Sequence, residues 1–575
     1  MGAIDRLLIA NRGEIAVRIV RTCREAGIAV VAVVGPGDEH AAHAALADEV
    51  RAVPSYLDAE ALVSAALDAG VDAIHPGYGF LSERAEFAEA VIGAGIAWVG
   101  PPPAAMRALG DKVGARAIAE SLGIPVVPGY AGLDLTEDVL LREAARLGTP
   151  LLVKAAGGGG GRGMRAVEDL AQLPDALSSA RREAGAAFGD ERVFLERRMV
   201  AVRHVEVQVL VDTHGHGVHL GERDCSLQRR HQKIVEETPA PGVGAELRAA
   251  LGAAALAIAR EAGYEGVGTA EFLLSPDGTW CFLEMNARLQ VEHPVTEAVT
   301  GIDLVRAQLR VAAGEPLAWT QDDVRPAGHA IEARVYAEDP ATGFLPATGR
   351  IDLLALPHWP GVRIDAALRA GDVVDLGFDP LLAKVIAVAP DREACLDRLR
   401  AALAELRIVG VRTNLGFLLD ALAHPDVRAG RAGTDWVTDT WAPVVPALPP
   451  GVHPAGDPAD PWRSFGDGAA PKGVAVAGHH ALYRGWAYDL APDELEPVTI
   501  APPGGSLTAP MPASVARVAV AVGDAVEAGQ VVVVLEAMKM QLRVDAPVAG
   551  MVRAVHVADG DVVAAGQILV EVEDR

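Results

Sequence analysis

The chain has 575 residues, with 77 Asp and Glu against 51 Lys and Arg, for a net charge of −26. It is too long for one hydrophobic core, so several domains are expected, and too acidic to favour nucleic acid or an anionic membrane surface, whose phosphates would repel it. Four cysteines in no paired spacing (Cys23, Cys225, Cys281, Cys395), a strand signal within a few residues of Met1, and no apolar run near the roughly 20 residues of a bilayer span predict a soluble protein of the reducing cytoplasm.

From the N-terminus, "LLIANRGEIAVRIVRTCREAGIAVVAVV" passes from an apolar strand through a Gly turn into an amphipathic helix and a second apolar strand, as a parallel βαβ unit does. "VDAIHPGYGFLSE" and "IAWVGPP" continue the pattern, which predicts an α/β domain over residues 1–112. "ANRGEI" lacks the three-glycine spacing of a dinucleotide fingerprint. Residues 113–318 mix helices with β-hairpins. Within them, "LLVKAAGGGGGRGMRAV" puts Lys154 at the end of a buried strand and Gly157 to Gly161 directly after it. Glycine lets backbone N–H groups approach an anion closely, so the stretch suits a lid over phosphates. A Walker loop would end in Gly-Lys-Ser/Thr, whereas this one reads Gly161-Arg162-Gly163.

Further on, "GTAEFLLSPDGTWCFLEMNARLQVEHPVTE" holds two apolar strands around a hairpin signal at Asp277-Gly278. A two-residue tip there sets Glu271 opposite Glu284, with Asn286 on the same face. Opposed carboxylates repel at cross-strand distance. A divalent cation would relieve them, and carboxylate and amide oxygens are hard ligands that suit Mg²⁺ or Mn²⁺ on nucleotide phosphates. Residues 328–440 read as a further domain. Residues 441–506 carry twelve prolines between Pro443 and Pro503 and read as a linker with a small β element.

The last segment, 507–575, repeats at an offset of 37: Ala509-Pro510 returns as Ala546-Pro547, Gly523-Asp524 as Gly560-Asp561, and Gly529-Gln530 as Gly566-Gln567. Two such halves can pack face to face as a compact β-sandwich. Lys539 of "EAMKM" lies between the halves, on a projecting turn.

"EAMKM", with "APMPA" upstream, resembles the biotinyl (biotin carboxyl carrier) domain, and that resemblance makes Lys539 the biotin attachment site and biotin protein ligase a partner. "IANRGEIAVRI", "IHPGYGFLSE", "GDKVGARAIA", "GGGGGRGMR", "ERDCSLQRRHQK", "EMNARLQVEHPVTE" and "HAIEARVYAEDP" are similar to biotin carboxylase of the ATP-grasp superfamily. The order carboxylase, connector, carrier resembles the α subunit of acyl-CoA carboxylases. The implied architecture is multidomain α/β: a Rossmann-like N-terminal domain, an ATP-grasp domain, an α+β C-terminal carboxylase domain, a Pro-rich connector and an all-β biotinyl/lipoyl-like sandwich.

The resemblance also implies roles. Lys112, Lys154, Gly159, Gly160, Gly161, Glu196, Met199, His204, Gln228, His231, Glu271 and Glu284 would bind ATP, with Glu271, Glu284 and Asn286 on two Mg²⁺ or Mn²⁺ ions. Lys233, Arg288, Gln290 and the Val291 backbone would hold bicarbonate, Glu292 would be its base, and Arg334 would stabilise the biotin enolate. A separate carboxyltransferase β subunit would complete a homo- and hetero-oligomer. The subunit of a two-chain pyruvate carboxylase is the alternative. The chain departs from the family in its short "VVGPGDEHAAHAALADEV" loop, in Gly377-Phe378 where tyrosines are common, and in the short 441–506 connector.

Overall fold

A computed structural model describes residues 3–132, 134–157, 164–375, 377–449, 452, 473–477, 480–490, 506–537, 540–564 and 566–574. At the N-terminus, five parallel strands take the order Glu49–Ala52, Ala29–Val34, Arg6–Ile9, Ala73–His75, Ala97–Trp98. Helices cover both faces, which is why the central strands read as unbroken apolar runs rather than alternating ones. The two N-terminal motifs meet at one point: Asn11 donates from Nδ2 to Pro76 O at 2.6 Å and Tyr78 O at 2.7 Å. A Cβ on Gly77 would lie 2.8 Å from that nitrogen, at φ +67 for Gly13 and +63 for Gly77. Both glycines of "NRG" and "HPG" are thereby accounted for.

The largest sheet has eight antiparallel strands, ordered Trp280–Asn286, Gly266–Leu274, Arg203–Val211, Gly217–Arg229, Gln232–Thr238, His329–Tyr336, Leu381–Ala389, Val362–Ala366. It runs unbroken across residue 328, because Gln232–Thr238 pairs with His329–Tyr336. On the last of these strands the alternation is clear. Ile331, Ala333 and Val335 pack beneath the helix Arg392–Glu405, while Ala330 meets Val295 and Val299 of the helix His293–Thr300. Glu332 and Arg334 share that second face.

Within the connector, Val474–Ala477, His480–Tyr483 and Trp486–Asp489 form a three-stranded meander. Trp486 is buried against Gly416, where a Cβ would come within 2.5 Å of the indole. Arg412 donates to Asp489 at 2.7 Å, and His480 lies 3.0 Å from Asp352. The β element of the linker is therefore docked on the preceding domain. Two of the family departures also meet, the short loop and Phe378: Arg12 donates to Asp38 of the loop at 2.7 Å and lies 3.7 Å over the Phe378 ring.

The terminal segment forms two four-stranded sheets, and the repeat is visible strand by strand: Ala513–Val518 returns as Gly550–Val555, Ala525–Val526 as Val562–Val563, and Val531–Ala537 as Ile568–Asp574. The expected packing of half on half is corrected by the pairing. Each sheet takes two strands from each half, and reciprocal hydrogen bonds bind them, Gly529 N to Ala546 O and Gly566 N to Ala509 O, each at 2.7 Å. The physical reason is that interleaving leaves neither half with an open edge toward the other.

Candidate active site

The hairpin comes first, since its register sets the rest. Glu271 pairs with Glu284 and Thr269 with Asn286, whereas nearer the tip Phe272 pairs with Phe282 and Leu274 with Trp280. The tip is three residues, Pro276 to Gly278, closed by Ser275 N to Thr279 O at 2.8 Å, with Gly278 at φ +85. The expected two-residue tip is thus corrected. A β-bulge that leaves Leu283 unpaired adds back the missing residue, so the two glutamates still face each other.

Glu271 is buried and heavily engaged. Its Oε1 accepts from Lys233 Nζ at 2.8 Å, Asn286 Nδ2 at 2.9 Å and Gln290 Nε2 at 2.9 Å. His204 Nε2 lies 2.9 Å from Oε2, close but misaligned for a hydrogen bond. Burial works to raise the Glu271 carboxyl, yet Lys233 and His204 hold it well below the usual range. Glu284 is bound instead by Lys112. Among the described residues, the donor atoms of His204, Glu206 and Glu271 converge within 4.8 Å of one another. Two opposed carboxylates, each balanced by a lysine ammonium, and an amide are a donor set that fits a hard divalent cation.

Lys233 is the hub. Besides Glu271 it holds Glu206 and, at 2.7 Å, Glu292. Burial opposes its charge, but these three carboxylates keep it well above the ordinary lysine value. Glu292 bridges onward, its other oxygen accepting from Arg334 Nη2 at 2.9 Å. Burial pushes Glu292 up, while Lys233, Arg334 and Arg223 together hold it below the usual carboxylate range. It is an ionised carboxylate between two cations, which lower its basicity for as long as both hold it.

Arg288 donates to Asn286 Oδ1 at 3.2 Å and pairs with Glu83 at 3.2 Å. Val291 O accepts from Lys384 at 3.0 Å. Lys154 donates to Glu196 at 2.5 Å, with Arg116 3.6 Å from the same carboxylate, so the Glu196 side chain is held by cations. Met199 is half-buried in the loop after Val193–Arg197. Gln228 is buried and pairs with Lys233 in the ladder. His231 sits at the hairpin tip with φ +65, its basicity lowered by burial and by nearby Lys154. Gly159, Gly160, Gly161 and Lys539 lie outside the described residues. The strands Val531–Ala537 and Met540–Asp545 pair directly on either side of Lys539.

Sequence reasoning missed the layer beneath these groups. Arg223, fully buried, joins Glu206 at 2.6 Å, Gln208 at 2.8 Å, Thr296 at 2.9 Å and Gln290 at 3.1 Å. Lys384, also fully buried, holds Val291 O and Glu14. For Lys384 a signal was available, since a lone charge inside the apolar strand run "LLAKVIAVA" must be paired; the strand of Arg223, "GVHLGERDCSLQR", carries no such signal.

Four family models match the chain: "Biotin carboxylase, N-terminal domain" over 3–106, "Carbamoyl-phosphate synthase L chain, ATP binding domain" over 111–320, "Biotin carboxylase C-terminal domain" over 332–439, and "Biotin-requiring enzyme" over 505–572. The mitochondrial methylcrotonoyl-CoA carboxylase subunit alpha of Dictyostelium discoideum is 39% identical over 94% of this chain and 91% of its own length. Biotin carboxylase of a Nostoc species is 46% identical over 76% of this chain and 99% of its own. The crystal structure of the biotin carboxylase domain of Hydrogenobacter thermophilus 2-oxoglutarate carboxylase, with MgADP and bicarbonate, aligns with a TM-score of 0.75 at 40% identity, over 76% of this chain and 98% of that one. This chain belongs to the biotin-dependent carboxylases, as an ATP-dependent biotin carboxylase carrying its own biotinyl domain in the layout of the acyl-CoA carboxylase α subunits.

Proposed function

We propose that this chain uses ATP and bicarbonate to carboxylate biotin on its own Lys539, attached by a biotin protein ligase, and passes the carboxyl group to an acyl-CoA held by a separate carboxyltransferase β subunit. The observation that carries the reading is Glu292, ionised between Lys233 and Arg334 at 2.7 and 2.9 Å. Bicarbonate, held by Lys233, Arg288, Gln290 and the Val291 backbone, gives its proton to Glu292 as its oxygen attacks the γ-phosphorus of ATP and ADP departs. Lys112 and Lys154 neutralise the phosphates, under the glycine lid of Gly159, Gly160 and Gly161. Glu196, Met199, His204, Gln228 and His231 surround the nucleotide.

Glu271, Glu284 and Asn286 are the residues that would hold two Mg²⁺ or Mn²⁺ ions, which supply charge screening for the phosphates. Biotin, when bound, supplies the nitrogen that accepts the carboxyl group. Arg334 balances the negative charge on its ring oxygen. In this reading residues 1–112, 113–318 and 328–440 act as one catalytic unit, and 441–506 spans to the carrier, 507–575. The four cysteines, free among the described residues, and the lack there of a helix long and apolar enough to cross a membrane support a cytoplasmic place. Homo-oligomers bound to the β subunit complete the picture.

The test uses the biotinylated full chain. Alone, it should cleave ATP in a bicarbonate-dependent way and carry labelled carboxyl on its own Lys539. Carboxylated acyl-CoA should form only after a β subunit is added; label in acyl-CoA without a second protein refutes the division of labour.

A further inference from the structure

Behind Arg334 lies a group that the reaction above does not use. Glu332 is fully buried, and among the described residues neither of its oxygens has a hydrogen-bond partner. It stands directly opposite Glu236 across the sheet, a pairing that puts the two Cβ atoms about 4.5–5.5 Å apart. Glu236 is fully buried too. Its Oε1 accepts from Arg334 Nε at 2.5 Å, and its Oε2 has no partner.

Two ionised carboxylates cannot share such a site without a cation between them. The cations facing Glu332 are already committed. Lys384, from the neighbouring strand, is spent on Val291 O at 3.0 Å and Glu14 at 3.1 Å, with Asp365 at 3.9 Å. Arg334, on the same strand, holds Glu236 and Glu292. The covering helix brings His293, whose Nδ1 lies 2.8 Å from Gln290 O and which burial keeps neutral, and Glu297, paired with Arg18 at 2.7 Å and Arg363 at 2.7 Å. What the site lacks is one hydrogen: a carboxylic O–H on Glu332 would satisfy the free Oε2 of Glu236, and the orphans match as donor and acceptor.

We propose that Glu236 and Glu332 hold a single proton between them, and that this pair is the anchor that positions Arg334 for the biotin ring. Glu236 then grips the guanidinium from behind through Oε1. Arg334 Nη1 reaches Tyr336 at 3.3 Å, and Nη2 lies between Glu236 Oε1 at 2.5 Å and Glu292 Oε2 at 2.9 Å. When Glu292 takes up the bicarbonate proton, its hold on Nη2 weakens, and the arginine is free to turn its charge on the biotin oxygen without losing its place. Burial, only partly offset by Lys384, keeps the Glu332 carboxyl well above the ordinary range. Glu236 and Glu332 are positioning residues here, and the idea rests on the assignment of Arg334 to biotin.

The test compares Glu332→Gln, which keeps a neutral donor, with Glu332→Leu, which removes it, in the full chain with free biotin as acceptor. Infrared difference spectra at neutral pH should show a protonated-carboxyl band in the wild type that both variants lack. Glu332→Gln should keep the wild-type KM for biotin. Glu332→Leu, leaving Glu236 Oε2 unsatisfied, should raise it about tenfold, with the KM for ATP unmoved. Should the Leu variant fail to fold, stability decides. A carboxyl whose folded value is raised contributes stability that is lost as pH climbs above the ordinary 4.5, so the wild-type urea midpoint should fall there more steeply than that of Glu332→Gln. Absence of the infrared band overturns the shared proton. A band without any change in biotin KM in Glu332→Leu leaves the proton in place and overturns the pair as the anchor of Arg334.

Discussion

Around the catalytic centre the interior is charged: Arg223 and Glu206 are fully inaccessible, as are Glu236, Glu332 and Lys384. In the carrier the interior is wholly apolar. Val515 and Val552, Val533 and Val570, Leu535 and Val572 fill it as repeat-related pairs. No charged side chain among its described residues is buried, and its ion pairs, Arg543–Asp545 and His556–Glu571, sit at the surface. Burying ion pairs is poor economy for stability, because desolvation offsets most of the attraction. A domain that does so extensively is organised by its chemistry, which needs fixed cations where negative charge develops. A domain whose chemistry calls for no buried charge is free to use the cheapest core available, an apolar one built twice over.

The contrast breaks most sharply at Lys539. Lys539→Arg keeps the positive charge but cannot be amidated in the same way, so the avidin signal should vanish while bicarbonate-dependent ATP cleavage and carboxylation of free biotin persist. Biotin found on another lysine of the variant would contradict the assignment. Next in size is Glu292→Gln. Removal of a positioned base costs on the order of 10²–10⁴ in rate, and here it also takes the shared partner from Lys233 and Arg334. Biotin carboxylation should fall by that factor while avidin binding through the carrier stays at the wild-type level. Wild-type turnover by Glu292→Gln would remove it from the mechanism.

How much of this was legible beforehand differs in the same way between the two regions. Glu271 and Glu284 could be placed opposite each other because the side-chain period of a hairpin is two, and a turn signal fixes its centre. The pairing held only because the bulge at Leu283 cancelled the longer tip, and no residue type announces that bulge. The equivalence of the carrier halves was legible from the offset, since Val531–Ala537 and Ile568–Asp574 are the same strand twice. Their interleaving was not, because a repeat states which strands are alike and is silent on which ones pair. Glu206, Arg223, Glu236 and Lys384 come from four separate strands. They meet only because the eight-stranded sheet brings them to one face, and short-range pattern reading does not reach across such separations.

The smallest expected effect separates the regions by pH. In the catalytic unit Glu271, Glu292 and Asp365 are pushed up by burial but held lower by Lys233, by Lys233 with Arg334, and by Arg363 respectively. Their stabilisation is present above the ordinary carboxylate values and is lost as pH falls through their lower folded ones. Glu338 has the opposite sign: burial raises it to about 7 against the pull of Arg229, so its contribution is present below 4.5 and lost as pH climbs toward 7. Glu332 acts in the same direction. The stability of the catalytic unit should therefore pass through a maximum near the ordinary carboxylate range and decline on both sides, by on the order of a few kcal/mol. The carrier, with no buried charge among its described residues, should show no such maximum. All eight tryptophans precede residue 487, so tryptophan fluorescence in urea follows the catalytic unit and its connector and none of the carrier. The avidin-reactive fragment that survives brief proteolysis follows the carrier. Coincident pH profiles from the two probes would mean that the carrier is held by the same charges, and that the two interiors do not differ in the way their residues imply.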